Sequence, residues 1–409
     1  MTAAPDAPDQ SRLRRSLEVF AAALRLGLTS FGGPVAHLGY FREEYVRRRG
    51  WLDDRTYGEL VALCQLLPGP ASSELGIAIG LIRAGLPGGL LAWVAFTLPS
   101  AFALVAFAFA TSALGSSDLR WLAGLQIAAV AIVAQAVWSM GRTLAPDRPR
   151  MAIALAAAVV ALAAPGAPGQ VATIVAGGVV GALLPRRSDE GEAPARLDVR
   201  IPVGRRVGAA ALGAVAVLLV GLPLLRRLVA SPALDAFDAF FRSGALVFGG
   251  GHVVLPLLRA AVVEPGWVTE PQFLTGYGAA QAVPGPLFTF SAYLGTVMHG
   301  PPGGVPGAAL ALVAIFLPAF LLVVGALPFW SMLHAVPAAQ AALRGVNAAV
   351  VGLLLAALYD PVLTGAVHSP LDFALALAAF ALLTVARAPA WAVVAATAAA
   401  GAALVALGH

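Results

Sequence analysis

Arg25 stands six residues ahead of Phe31-Gly32-Gly33, and Arg242 stands six residues ahead of Phe248-Gly249-Gly250. A planar guanidinium with a fixed fork of donors suits an oxyanion. Six residues of helix place each cation ~9 Å from its break. A charge at bilayer depth costs ~2.5–3.5 kcal/mol on insertion scales, so it is normally paired or lines an aqueous cavity. Three readings stay open: substrate contact, internal salt bridges with Glu18 and Asp235 seven residues earlier, or snorkelling to an interface. Occurrence in two copies favours contact.

Two further segments carry the same promise. They are Gln65-Leu66-Leu67-Pro68-Gly69-Pro70 and Gln281-Ala282-Val283-Pro284-Gly285-Pro286. Glycine permits close backbone approach, and proline removes an amide donor and ends a helix. A half-helix restarting after each break aims free amides and a positive dipole end at the membrane centre, which makes an anion site from backbone. Gly32, Gly33, Gly69, Gly249, Gly250 and Gly285 are the glycines of these breaks. Ser72, Ser73 and Thr289 lie just beyond them and either cap the new helix or bind a ligand. Gln65 and Gln281 either bond a substrate or join adjacent helices.

Proton chemistry has its own candidates. Glu74 lies about one turn past Pro70 on an apolar segment, where its counterpart is Phe290. An intramembrane carboxylate is functional by default, although an acid near a helix N-terminus is also good capping chemistry. His37 and His252 follow their glycine breaks, and imidazole titrates near neutrality. Glu18 and Asp235 complete the set. No Ser/His/Asp or Cys/His constellation, metal-ligand cluster or Walker-type loop occurs, so neither an enzyme nor a cofactor is expected. The single cysteine, Cys64, excludes an intramolecular disulfide and reads as a packing residue.

All these residues belong to one pattern written twice, about 217 positions apart. Gly27 pairs with Gly244, Gly50-Trp51 with Gly266-Trp267, Pro87-Gly88-Gly89 with Pro302-Gly303-Gly304, and Leu98-Pro99 with Leu317-Pro318. Gln126 and Asn347 match on later helices, where helix–helix bonding is expected. Paired Gly/Pro-interrupted segments in an apolar chain point to a transporter's binding site.

The elements that position them must lie in a membrane. Of 409 residues, 59% are hydrophobic and 11% charged, with mean hydropathy +0.85. The apolar runs 88–112, 121–141, 151–164 with 170–184, 207–225, 304–330, 338–359, 371–386 and 389–407 suit a hydrocarbon core ~30 Å thick. All 26 basic residues are arginine, and nothing resembles a nucleic-acid module. Arginines at 12–15, 42–55, 83, 142–150 and 186–206 mark the cytoplasmic side, with the N-terminus there too. Segments 17–41 and 57–83 then start and end inside, as hairpins that turn at their breaks. Three crossings, 151–164, 170–184 and 207–225, turn the second copy upside down. Its loop 264–270 carries no arginine, as an external loop should. Arg226 and Arg227 are misfits at the external end of 207–225.

The expected organisation is an all-α polytopic membrane protein of two inverted-topology repeats with broken helices. Residues 1–16 form a disordered tail, 17–143 the first repeat, and 144–233 connecting helices with a basic cytoplasmic loop at 186–206. The inverted repeat is 234–360, and 361–409 are C-terminal helices.

The segments Phe31-Gly32-Gly33-Pro34-Val35-Ala36-His37, Cys64 through Ser73, Phe248 through His252 and Gly276 through Phe290 resemble the signatures of the chromate ion transporter family. The resemblance covers nearly the whole chain and matches the family's long, two-domain form. It implies a multi-pass inner-membrane protein that expels chromate and confers resistance, coupled to the proton motive force, with sulfate as a competing mimic. A homodimer is a candidate assembly. Glu74 departs from the family pattern, which more often has Gln there, and an extra carboxylate would weaken dianion binding or alter coupling. The competing readings are a transporter of sulfate, molybdate or another oxyanion, including uptake, and a membrane-embedded enzyme or passive channel.

Overall fold

The computed structural model describes residues 8–113, 122–164, 166–184, 201–333 and 336–406, which fold as an all-α polytopic membrane protein. Among the described residues, five helices are long and apolar enough to cross a membrane. The basic loop expected at 186–206 lies outside the described residues up to position 200, as do residues 1–7 of the expected tail.

The first helix, α1 (Pro8–Thr29), begins well before the expected boundary at 17. Residues 8–16 are therefore helical, in place of the expected disordered tail. Arg12, Leu13, Arg14 and Arg15 are good helix formers, and Arg14 meets Glu18 one turn on at 3.5 Å. After a break come α2 (Gly33–Phe41) and a π-helical turn over Arg42–Arg48. Asp53 caps α3 (Asp54–Leu66) by accepting the Thr56 amide at 2.7 Å. A second break leads to α4 (Ala71–Ala113), which doubles back at Ala84 and Gly85. Gly80 and Gly88 let its two arms touch backbone to backbone, so a Cβ on either would overlap the other's carbonyl. This turn follows the expected hairpin 57–83 and is separate from the Pro68-Gly69-Pro70 break at which that hairpin was expected to turn.

Next come α5 (Ala123–Leu144), α6 (Arg148–Ala163, capped by Asp147), α7 (Ala167–Leu183) and α8 (Arg205–Leu228). The second copy repeats the order. It runs α9 (Pro232–Ala245), a break, α10 (Val254–Val262), α11 (Glu270–Ala282) with a Thr269/Gln272 capping box, a break, and α12 (Phe290–Val297). It continues through α13 (Gly304–Ala326), α14 (Pro337–Ala357), α15 (Pro370–Thr384) and α16 (Ala390–Ala406). Gly295 and Gly307 pack α12 on α13 just as Gly80 and Gly88 pack the arms of α4.

The copies interlock. Helices α6 and α7 pack mainly on α14 of the second copy, and α15 and α16 pack on α5 of the first. Matched glycines make both contacts close. Gly345 on α14 meets the Gly177 carbonyl of α7, and Gly124 on α5 meets the Thr397 carbonyl of α16. Small residues at such crossings let helix backbones approach in an apolar medium.

Candidate functional site

The four breaks meet in two reciprocal pairs. Gly69 donates its amide to the Val247 carbonyl at 2.7 Å, and Gly285 donates its amide to the Ser30 carbonyl at 2.9 Å. Ser30 and Val247 are matched positions, each directly before its own Phe-Gly-Gly. Every Pro-Gly-Pro is thus bonded to the opposite copy's glycine break. The breaks need left-handed backbone: φ is 96° at Gly32, 76° at Gly249 and 103° at Gly285. That conformation costs an ordinary residue ~1–2 kcal/mol.

Two helix crossings fix the breaks in place. Gly27 lies against α4, where a Cβ would come 2.7 Å from the Phe96 carbonyl oxygen. Gly244 lies against α13, where a Cβ would overlap the Ile315 carbonyl. Pro99 and Pro318 lack the amide that would bond four residues back, so each frees a carbonyl at its crossing. Sequence matching had paired Gly27 with Gly244 and Pro99 with Pro318. The crossings are what each pair is for.

Several buried polar groups have no hydrogen-bond partner among the described residues. Those at the breaks and crossings are Ser30 Oγ, Ser73 Oγ, Thr97 Oγ1, Gln281 Nε2, both ring nitrogens of His37 and both carboxyl oxygens of Glu74; Arg83 Nε, Trp93 Nε1, Gln170 Oε1 and Ser291 Oγ are further such atoms. Buried polar atoms are normally satisfied, so such a set asks for an explanation. Glu74 is fully buried, and its carboxyl lies so close to Gly69 that a Cβ there would overlap it. No cation pairs with it among the described residues. Its counterpart Phe290 instead packs in an aromatic cluster, 5.2 Å from Phe273 and 5.8 Å from Tyr277 between ring centroids.

The other predicted residues divide. Ser72 is buried beside Ser73, whereas the Thr289 hydroxyl donates to the Pro286 carbonyl at 2.7 Å and makes no cap bond to the helix that follows. Gln65 is exposed while Gln281 is half-buried, so this matched pair is not equivalent. His37 is buried edge-on against Phe96, with centroids 5.6 Å apart. His252 Nδ1 instead lies 2.7 Å from the Tyr277 hydroxyl. Phe31 packs near Trp391 of α16, and Phe248 packs on the second copy's core.

The arginines turn away from the breaks. Arg25 reaches Glu44 at 3.6 Å, and that buried carboxylate also takes Arg48 at 3.3 Å and Arg49 at 2.7 Å. Arg242 pairs with buried Asp238 at 2.8 Å, one turn further from the break, and donates to the Leu219 carbonyl at 2.8 Å. The anticipated partners have other employment: Glu18 holds Arg83 at 2.9 Å, and Asp235 holds Arg226 at 2.5 Å. Arg226 also reaches Asp238 at 2.8 Å, so this misfit of the charge pattern is a buried-end ion pair that ties α8 to α9. In the loop before α3, Arg42 beside Asp54 holds that carboxyl below the usual carboxylate range. That pair is exposed and screened, so it adds little stability.

Sequence reading passed over Ser30, Thr97, Ser100, Glu44 and Asp238. A signal existed for three of them. Ser30 directly precedes a break, and Thr97-Leu98-Pro99-Ser100 puts two hydroxyls around a matched proline where the second copy has Phe316-Leu317-Pro318-Ala319. A Cβ on Gly285 would stand 2.8 Å from Ser100 Oγ, which puts that hydroxyl at the second Pro-Gly-Pro.

A chromate transport protein of Pseudomonas aeruginosa is 34% identical over 358 residues, covering 84% of this chain and 80% of the relative. A chromate transport protein of Cupriavidus metallidurans is 31% identical over 374 residues, covering 89% and 85%. An uncharacterized transporter of Methanocaldococcus jannaschii is 23% identical over 347 residues, covering 83% of each. No solved structure matches the chain. The chromate transporter description matches residues 17–182 and again 234–402. Each match runs past the expected repeat ends at 143 and 360, into α6–α7 and α15–α16. With both copies and all four breaks inside those matches, the chain belongs to the chromate transporter family.

Proposed function

We propose that this chain exports chromate across the inner membrane, driven by the proton motive force, through alternating access between two inverted copies. The observation that carries this reading is the reciprocal pair of bonds, Gly69 to Val247 and Gly285 to Ser30. They join the four breaks into one centre that neither copy could build alone. Rocking one copy against the other would open that centre to either side.

Chromate is a tetrahedral dianion. The free amides opening α2 and α4 and the hydroxyls of Ser30, Ser73 and Thr97 are neutral donors of the kind that binds one. Arg25 and Arg242, each neutralised by a carboxylate, act as positioning residues that hold the broken helices. An interior-negative potential favours exit of a dianion by ~4.6 kcal/mol per 100 mV, twice the single-charge value. Export therefore needs only the electrical part of the proton motive force.

Glu74 favours a second reading. A carboxylate repels the dianion, whereas a protonated carboxyl donates to it, so a proton could travel with the anion. That coupling would drive uptake of sulfate or another oxyanion. His37, whose ring nitrogens are likewise unpartnered, stays a coupling candidate beside Glu74, whereas His252 is already engaged by the Tyr277 hydroxyl.

Inside-out vesicles separate the two. Under export, a lumen-positive potential with the pH gradient collapsed accumulates chromate, and sulfate competes weakly. Accumulation that instead demands an alkaline lumen and prefers sulfate would overturn export in favour of symport.

A further inference from the structure

Helices α6 and α7 run antiparallel through a short turn, and both lie on α14. Gly352 brings α6 so close that a Cβ there would overlap the Ala154 carbonyl, and Gly345 does the same for α7. On the outer side the two helices leave a groove of about 560 Å³ between them. Ala349 lines its floor, with Ile153 and Ala156 on one wall and Ala176 and Val180 on the other. Thr173 also lines it, but its hydroxyl is spent on the Gly169 carbonyl at 2.7 Å. The lining offers nothing to a polar ligand.

Length and charge identify the occupant. Along α6 the groove runs from Pro149 to Val160, a rise of ~17 Å. One leaflet of hydrocarbon is ~15 Å deep, half of the ~30 Å core. At the Pro149 end stands Arg148, exposed, with exposed Arg142 at the adjoining end of α5. Arg150 is engaged by Asp147 at 2.7 Å and is not available. The stretch Val159–Ala163 at the other end carries no charge. An apolar slot one leaflet long, with exposed Arg148 at one mouth and at the other only Arg259, which Glu270 engages at 3.1 Å, has the form of a lipid.

We propose that this groove holds one acyl chain of an anionic phospholipid, with the phosphate on Arg148. The lipid would wedge α6 and α7 apart on α14 and so brace one of the contacts that interlock the copies. No residue of the breaks lines the groove, so the proposal does not depend on which oxyanion is carried.

Native mass spectrometry of the purified full chain, titrated with phosphatidylglycerol or phosphatidylcholine, tests this. The intact protein should retain one phosphatidylglycerol about fivefold more tightly than phosphatidylcholine, the effect of roughly one basic side chain. Arg148→Gln should abolish that preference while still taking either lipid. Ala156→Phe with Ala176→Phe, which fills the slot with apolar rings, should lose the first bound lipid of either kind. Equal retention of both lipids by the intact protein overturns the proposal. So does undiminished binding in the filled variant, or a wild-type dimer that the filled variant dissociates, which would make the groove a subunit contact. Should the filled variant fail to fold, Arg148→Gln decides alone, since that side chain is exposed.

Discussion

At the scale of single residues, the charges do two different jobs. Glu44 and Asp238 are buried carboxylates that collect arginines, and removing either would strand them. Losing one partner of a fully buried pair costs ~3–5 kcal/mol, and because Arg226 and Arg242 keep 37% and 36% of their side chains exposed the loss here is smaller. Asp238→Asn should therefore lower the yield of folded protein and its melting temperature, measured in detergent; unchanged yield and melting would remove Asp238 from the framework. Glu74 has no such partner. Like charges ~5 Å apart at an effective dielectric near 20 repel by ~3 kcal/mol per unit charge. Glu74→Gln should then lower the KM for chromate by more than about tenfold at the high end of the pH range and by less at the low end. An equal effect at both pH values would take the carboxyl out of contact with the anion. The sequence exposed Glu74 because one charge on an apolar half-helix is conspicuous. It did not expose Glu44 as the partner of Arg25, because Glu44 lies beyond the break and is near only in space; Asp238, one helical turn from Arg242, was closer in sequence than Asp235 and was passed over.

At the scale of elements, the breaks act through backbone. Gly285 combines three demands: φ of 103°, a crossing bond to Ser30, and a neighbour, Ser100 Oγ, that a Cβ would meet at 2.8 Å. Gly50 has a positive φ of 59° and open space around it. Gly285→Ala should lose at least about tenfold in transport with a stability loss of ~1–3 kcal/mol, the usual cost of such strain. Gly50→Ala should show only the strain, with transport per folded molecule intact. If both variants transport alike, the crossing at Gly285 is structural. Breaks, hairpins and the Gly27 and Gly244 crossings were legible because glycine and proline act on the backbone they belong to. The start of α1 at Pro8 was not, since a polar run of helix formers also reads as a tail.

For the whole molecule, the interlocking of the copies is the feature that local sequence could not declare. Helices α6, α7, α15 and α16 are apolar on nearly every face, so neither periodicity nor charge tells them which neighbour to join. The glycines at 124 and 345 each stand two residues before the matched Gln126 and Asn347, but their partners on α16 and α7 are chosen only when the copies assemble. Packing therefore argues for repeats longer than 17–143 and 234–360, each ending in two helices lent to the other, with α8 as the link. If so, a half made alone exposes the α5 or α14 face that should be covered, and leaves its own last two helices without a floor. Cutting the chain between 185 and 200 and expressing both pieces together should restore chromate transport, with the pieces co-purifying. Either piece alone should be degraded or aggregate. A lone half that accumulates as a stable, monodisperse species would show that the contacts of α6 and α7 with α14 are dispensable, and that each copy holds its own fold.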